Sequence, residues 1–332
     1  LASWGFTNIS YVQEQASFDG NFPHAPKPNP EEKEALQKGI RLLIEKKADL
    51  LLATDPDADR IAAVILHKGN PVILSGNEIG CCLLYHIASS LKETNRTPLH
   101  PAVIKTIVTS ELFKAIAGGF QMSCFDVLTG FKYISALIEQ WDQTKAYSFV
   151  FGAEESNGYL ANTFVLDKDA ISTGCLIAEM ALKAKCDEKT LLDLLHQLYQ
   201  EYGIYQEGVF SVSYPEGKEG MKQMEEVMER LRRKTPTLFG NSELLLLEDY
   251  QQSTALDLIS KKTISLALPK SNVLRLWLDD NSKIVIRPSG TEPKIKIYAG
   301  VVDKNFSKAK DQIPLCKERV TALLNAVKNL LS

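Results

Sequence analysis

The sequence predicts an α/β protein: two α/β domains, the first incomplete, followed by a smaller α+β domain with an antiparallel sheet. Three observations carry this. Short apolar runs at 49–53, 103–108 and 147–151 alternate with helically spaced segments at 31–47, 76–92 and 168–185, the pattern of α/β units with substantially parallel strands. A Pro-marked break at 98–101 divides the alternation. After Tyr202-Gly203 the texture shifts to clustered strands. The expected domains are therefore 1–98, 99–204 and 205–332, in keeping with the two or three that a 332-residue chain forms.

Taken in order, residues 17–30 hold four prolines and form neither helix nor central strand. Leu36, Ile40, Leu43 and Ile44 recur at helical spacing over 31–47. A strand at 49–53, an acidic loop and a second strand at 61–65 follow. Gly76 opens a helix to Lys92, with Asn77 as its expected cap. Strands at 103–108, 125–128 and 147–151 alternate with helices from Thr109 and Phe131. Helices at 168–185 and 189–200 complete this half. Beyond it, 209–213 reads as strand and 219–234 as helix. Strands follow at 263–268, 273–278, 283–287 and 294–301, with Asp-Asp-Asn-Ser a hairpin signal between the second and third. An amphipathic helix is expected over 306–331.

Apolar content of 45% and charged content of 24% are ordinary for a globular protein. A net charge of -3 argues against a nucleic-acid partner. No apolar run approaches the roughly 18 residues that a membrane span needs, and the first twenty residues lack a basic start and an apolar core. Cys81, Cys82, Cys124, Cys175, Cys186 and Cys316 show no C-x-x-C spacing and sit mostly among apolar residues. They read as thiols of a cytoplasmic protein.

Asp55-Pro56-Asp57-Ala58-Asp59-Arg60 is the most informative stretch. Asp55, Asp57 and Asp59 emerge at the end of an apolar run, where open α/β sheets place ligands. Their mutual repulsion is relieved by a hard divalent cation such as Mg²⁺ or Ca²⁺. Arg60 adds a fixed cation that can meet a phosphate. A calcium EF-hand fails on detail: counting from Asp55, position six is Arg60 rather than Gly and position twelve is Leu66 rather than Glu. The bland alternative is a solvated acidic turn.

Three further loops carry chemistry. Arg287-Pro288-Ser289-Gly290-Thr291-Glu292-Pro293 offers a guanidinium, two hydroxyls and unobstructed backbone N–H groups, enough to surround a phosphate dianion. In the segment 151–159, Glu154, Glu155 and Ser156 suit the vicinal hydroxyls of a sugar. Thr129-Gly130-Phe131-Lys132-Tyr133 starts a helix, with Lys132 able to reach a substrate oxygen. Together they describe a sugar-phosphate ligand, although the last two loops are unremarkable singly.

The order D-P-D-A-D-R, T-G-F-K, E-E-S-x-G-Y, R-P-S-G-T-E-P resembles the α-D-phosphohexomutase superfamily. The E-E-S string and the lead-in N-F-P-x-x-x-x-P-N-P-E-E resemble its phosphoglucomutase and phosphopentomutase branch. The resemblance implies phosphohexomutase-type α/β domains and a smaller fourth domain around a cleft. It implies transfer of a phosphoryl group between the 1- and 6-positions of a hexose, from a phosphoserine and through a bisphosphate.

By the same resemblance, Asp55, Asp57 and Asp59 would hold Mg²⁺, and Arg60 would contact the transferring phosphate. Thr129, Gly130, Glu154 and Ser156 would meet the sugar, with Glu155 beside them. Lys132 would be a proton carrier. Arg287, Ser289, Gly290 and Thr291 would clamp the other phosphate. Glucose 1,6-bisphosphate would serve as intermediate and activator. Ala153 and Asn157 depart from the family's string and bear on sugar preference. No T-A-S-H-N-P-type serine loop occurs in these residues. The sequence begins at Leu1 in irregular chain, so a C-terminal portion of such an enzyme is expected, inactive by itself. A phosphomannomutase, a phosphopentomutase or a non-catalytic sugar-phosphate-binding form are the alternatives.

Overall fold

The computed structural model describes residues 1–304 and 309–331, and the chain divides into two compact units, Leu1–Glu201 and Tyr202–Ser332. The first three residues of the helix expected at 306–331 lie outside the described residues.

The first unit opens with a 3₁₀ turn, Ala2–Trp4, and a single helical turn, α1 (Gln13–Ala16). Residues 17–30 form no helix or strand, as their prolines require. Helix α2 (Lys33–Lys46) buries Leu36 and Leu43 against Ala62 and Val64. Each such large side chain contributes about 1.5–3 kcal/mol when fully buried. Those alanine and valine residues belong to a three-stranded sheet, β1 (Leu50–Thr54), β2 (Ile61–His67) and β3 (Asn70–Leu74).

This sheet is antiparallel throughout, not parallel as the alternating pattern suggested. The physical reason is loop length. Residues 55–60 alone join β1 to β2, whereas a parallel crossover needs a dozen or more residues.

Helix α3 (Gly76–Glu93) is capped by Ser75, not Asn77. The Ser75 hydroxyl accepts from the Glu78 N–H, and the Glu78 carboxylate accepts from the Ser75 N–H, a reciprocal capping box. Asn77 instead accepts from the Ser110 N–H. A second sheet, in order β5-β4-β6-β7, follows: β4 (Pro101–Thr106), β5 (Ser123–Val127), β6 (Ser148–Ala153) and β7 (Tyr159–Leu160). Strands β4, β5 and β6 are parallel, and only β7 returns antiparallel. Helix α4 (Glu111–Gly119) is capped by Ser110, and α5 (Phe131–Thr144) buries Ile134, Ile138 and Trp141 against Ile104 and Val127. Helices α6 (Ala170–Cys186) and α7 (Leu191–Tyr202) complete the unit, α6 packing on β1 and β2.

The second unit is one antiparallel sheet with helices. Its strands are β8 (Ile204–Ser213), β9 (Leu238–Phe239), β10 (Ser242–Asp249), β11 (Thr254–Asp257), β12 (Thr263–Ser265), β13 (Leu274–Leu278), β14 (Lys283–Pro288) and β15 (Lys294–Asp303). The order is β12-β11-β10-β13-β14-β15-β8, with β9 paired to β10. Helix α8 (Lys218–Arg233) packs on β15, and α9 (Ala309–Leu331) packs on β8 and β15. The expected Asp-Asp-Asn-Ser hairpin joins β13 to β14, with the Leu278 N–H donating to the Ser282 carbonyl. No helix among the described residues is long and apolar enough to cross a membrane.

Candidate active site

The acidic loop leaves β1 at Thr54 and enters β2 at Ile61. Its fold is set by Asp55. One carboxylate oxygen of Asp55 accepts the N–H groups of Asp59 (3.1 Å) and Arg60 (2.9 Å). The Ala58 N–H donates to the Asp55 carbonyl at 3.1 Å, with Ala58 in the left-handed region at φ 55°. This tight turn aims the three carboxylates at one point: oxygens of Asp55, Asp57 and Asp59 all lie within 4.8 Å of one another.

The donor set fits a hard divalent cation. All three ligands are carboxylates, and Asp59 Oδ1 is buried with no hydrogen-bond partner. A buried acceptor left so is costly, and a bound cation would satisfy it. Electrostatics point the same way. Burial, then the neighbouring Asp59 and Asp57 carboxylates, hold Asp55 above the ordinary carboxylate range, against the Arg60 N–H. Burial acts on Asp59 too, but Lys168 and the contact with Asp55 hold it below that range.

The loop carrying Glu154, Glu155 and Ser156 is fastened directly to the acidic loop. Arg60 bridges Gly158, and the Ile61 N–H donates to the Asn157 carbonyl at 3.0 Å. The Asn157 side-chain amide returns a bond to the Ile61 carbonyl at 3.0 Å. Asn157 takes a left-handed φ of 64°, which its residue type tolerates. Both departures from the family string, Ala153 and Asn157, are thus buried residues that brace the loop. Helix α3 closes it from behind. Gly76 lies so near that a Cβ would meet the Glu155 carbonyl oxygen and come within 2.7 Å of the Asn157 nitrogen. The Tyr159 hydroxyl donates to the Gly76 carbonyl at 2.8 Å.

The two glutamates face different ways. Glu154 accepts the Gly130 N–H at 3.0 Å, which joins the T-G-F-K segment to this loop. Burial holds Glu154 above the ordinary range. Glu155, expected beside the ligand, instead turns its carboxyl toward the Thr106 hydroxyl at 3.3 Å. Burial, then the Glu154 charge, push it up to about 7. Ser156 and Thr129 are half-buried. Lys132 is exposed, its ammonium 5.0 Å above the Tyr133 ring.

Sequence reasoning missed Lys168. Its ammonium stands 2.7 Å from Asp59 Oδ2 and 4.0 Å from Glu154 Oε2. The sequence pattern places Lys168 at the start of the helix expected over 168–185, whereas that helix begins at Ala170, and nothing local marks the lysine. Only the packing of α6 behind β1 and β2 brings it to the acidic loop, together with the bond from the Ala170 N–H to the Ala58 carbonyl.

In the second unit, Arg287 is the penultimate residue of β14 and the loop returns through Lys294 into β15. The Ser289 hydroxyl accepts from the Thr291 and Glu292 N–H groups at 3.3 Å each. The Ser289 N–H donates to the Lys294 carbonyl at 2.7 Å. Arg287 and Ser289 are half-buried, and Gly290 and Thr291 are exposed. The loop is thereby preformed, with hydroxyls and backbone donors at its tip.

Fold and loops define an α/β protein with three converging carboxylates on a loop braced against a second carboxylate loop. Comparison with known proteins sharpens this. The model of phosphoglucomutase/phosphomannomutase α/β/α domain II matches residues 1–68, and that of domain III matches 75–202. The chain is 37% identical over 314 residues to a phosphoglucomutase of Staphylococcus haemolyticus, covering 94% of this chain and 56% of that protein. A Staphylococcus aureus phosphoglucomutase is 37% identical over 315 residues, covering 94% and 55%. Among solved structures, a putative phosphomannomutase from Thermus thermophilus superposes with a TM-score of 0.57 at 16% identity, covering 92% of this chain and 51% of that one. Parafusin, a phosphoglucomutase from Paramecium, gives 0.56 at 19%, covering 92% and 49%. These two share the fold. The chain belongs to the phosphoglucomutase/phosphomannomutase family. It spans a little over half the length of the curated relatives it matches.

Proposed function

We propose that the whole protein is a phosphoglucomutase-type enzyme, interconverting glucose 1-phosphate and glucose 6-phosphate through glucose 1,6-bisphosphate. The observation that carries this is the convergence of Asp55, Asp57 and Asp59 on one point, on a loop bonded to the Glu154–Ser156 segment. The similarity to curated phosphoglucomutases supports the choice of sugar.

Asp55, Asp57 and Asp59 would hold Mg²⁺. Bound there, the ion supplies charge neutralisation to phosphoryl oxygens. Arg60, whose guanidinium lies 3.6 Å from Asp59 and 3.8 Å from Asp55, presents a cation to the transferring phosphate from the same rim. Glu154 and Ser156 accept and donate to sugar hydroxyls, and Thr129 and Gly130 border them. Lys168 favours the ionised form of Asp59 and orients both Asp59 and Glu154. Lys132 is the proposed proton carrier. In the second unit, Arg287, Ser289, Gly290 and Thr291 surround a phosphate dianion. The proposed setting is the cytoplasm, where six free thiols are kept reduced. Domain limits of 1–98, 99–204 and 205–332 are the proposed division of this chain, although α3 packs on α4 across the first of them and the domain III match begins at residue 75.

The test is turnover of glucose 1-phosphate by the whole protein with Mg²⁺ and a trace of glucose 1,6-bisphosphate. Asp57→Asn is expected to reduce kcat/KM by about a hundredfold or more, since one metal ligand is worth several kcal/mol. Full activity in that variant would overturn the assignment.

A further inference from the structure

Lys105 is a fully buried lysine on β4, in register with Asp126 of β5 and Ala153 of β6. Its ammonium lies 2.9 Å from Glu111 Oε1 and 3.0 Å from Asp126 Oδ1. It also donates to the carbonyls of Thr106 (3.4 Å) and Thr109 (3.5 Å). Burial opposes its charge, but Asp126 and Glu111 outweigh burial and hold it above the ordinary lysine range. An apolar residue would fill a buried strand position at lower desolvation cost. What the ammonium adds is a fixed geometry where β4, β5 and α4 meet.

That geometry leads to the carboxylate loop. The Thr106 and Thr109 hydroxyls are 2.8 Å apart, each also accepting the other residue's N–H at 3.3 Å. From this turn, Thr109 donates to the Ala153 carbonyl at 3.4 Å, and Thr106 donates to Glu155 Oε2 at 3.3 Å. The same turn is tied to α3 through Asn77 and Ser110 at 2.9 Å. We propose that Lys105 is a positioning residue: through the Thr106–Thr109 turn it fixes Glu155, and with it the loop that presents Glu154 and Ser156 to the sugar. This rests on the reading of that loop as the sugar-hydroxyl site.

Lys105→Met alone strands two acids and can unfold the chain. The neutral triple variant Lys105→Met/Glu111→Gln/Asp126→Asn removes the cation without stranding them, and Thr106→Val cuts the link while leaving the ion cluster whole. Two readouts are taken on the full chain: amide hydrogen exchange over 153–158, and glucose 1-phosphate affinity with Mg²⁺. In both variants exchange in the loop is expected to speed about tenfold and the Kd to rise about tenfold, the effect of one lost buried hydrogen bond. Mn²⁺ affinity at the aspartates should hold. Unchanged loop exchange in the folded triple variant overturns the role of Lys105. If the parent chain binds no glucose 1-phosphate, the sugar-loop reading falls, while the exchange rates still decide whether Lys105 positions the loop.

Discussion

The Lys168 ammonium sits 2.7 Å from Asp59 Oδ2, at the one aspartate of the acidic loop whose other oxygen is buried without a hydrogen-bond partner. A lysine from the segment before α6 thus pairs with a carboxylate of the proposed cation site. Without metal, Lys168 offsets part of the repulsion among the aspartates. With metal, it repels the ion.

Lys168→Met should therefore act in opposite directions on two quantities. In metal-free buffer the unfolding free energy should fall by about 1 kcal/mol, the upper range for a partly exposed pair. Mn²⁺ should bind about fivefold more tightly, because a like charge has been removed from its vicinity. Urea unfolding and Mn²⁺ titration measure the two. Weaker Mn²⁺ binding would contradict this reading of Lys168.

Asp57 is the exposed member of the triplet. Asp57→Asn should leave metal-free stability within about 0.5 kcal/mol of the parent, as for surface changes generally. It should weaken Mn²⁺ binding by about tenfold or more, since a charged oxygen ligand is lost. Equal Mn²⁺ affinity in the variant and the parent would remove Asp57 from the ligand set.

Gly76 is required for space. A Cβ there meets the backbone of Glu155 and Asn157 rather than a movable side-chain end. Gly76→Ala should destabilise by about 2–3 kcal/mol, the upper part of the range for overpacking. Denaturant unfolding checks this. A neutral effect would show that α3 and the carboxylate loop separate readily.

Glu155 gives a pH prediction. Its carboxyl is pushed up to about 7 from an ordinary 4.5. Over that interval the unfolded chain releases a proton that the folded chain keeps, so stability is lost as pH rises from the lower value to the higher and levels off above it. Glu155→Gln abolishes this loss. The variant's stability relative to the parent should rise by about 2 kcal/mol between about pH 5 and about pH 8. A difference that does not change with pH would mean Glu155 titrates normally.

The acidic loop was legible because alternating aspartates directly after an apolar run leave few other uses for them. The Ser289 loop was legible because its donors are contiguous. Contacts made across the fold were not. Lys168 meets Asp59 and Glu154 only after α6 packs, and Glu155 turns toward Thr106 because a buried turn awaits it there. Strand direction in the first sheet follows from the short 55–60 link, a local signal that the helix-strand alternation masks. The Ser75 cap was written in the chain as S-x-x-E, with Asn77, another residue type that caps helices, two positions later. Strand β10 holds four successive leucines, Leu244 to Leu247, and so lacks the alternation that marks a half-buried strand.

The most direct test of the central claim is calorimetric titration of glucose 1-phosphate into the 332-residue chain with Mg²⁺ present. Saturable binding is expected, competed by glucose 1,6-bisphosphate and weakened by Glu154→Gln. A folded chain that binds Mn²⁺ at its aspartates yet takes up no sugar phosphate at millimolar concentration would contradict the claim.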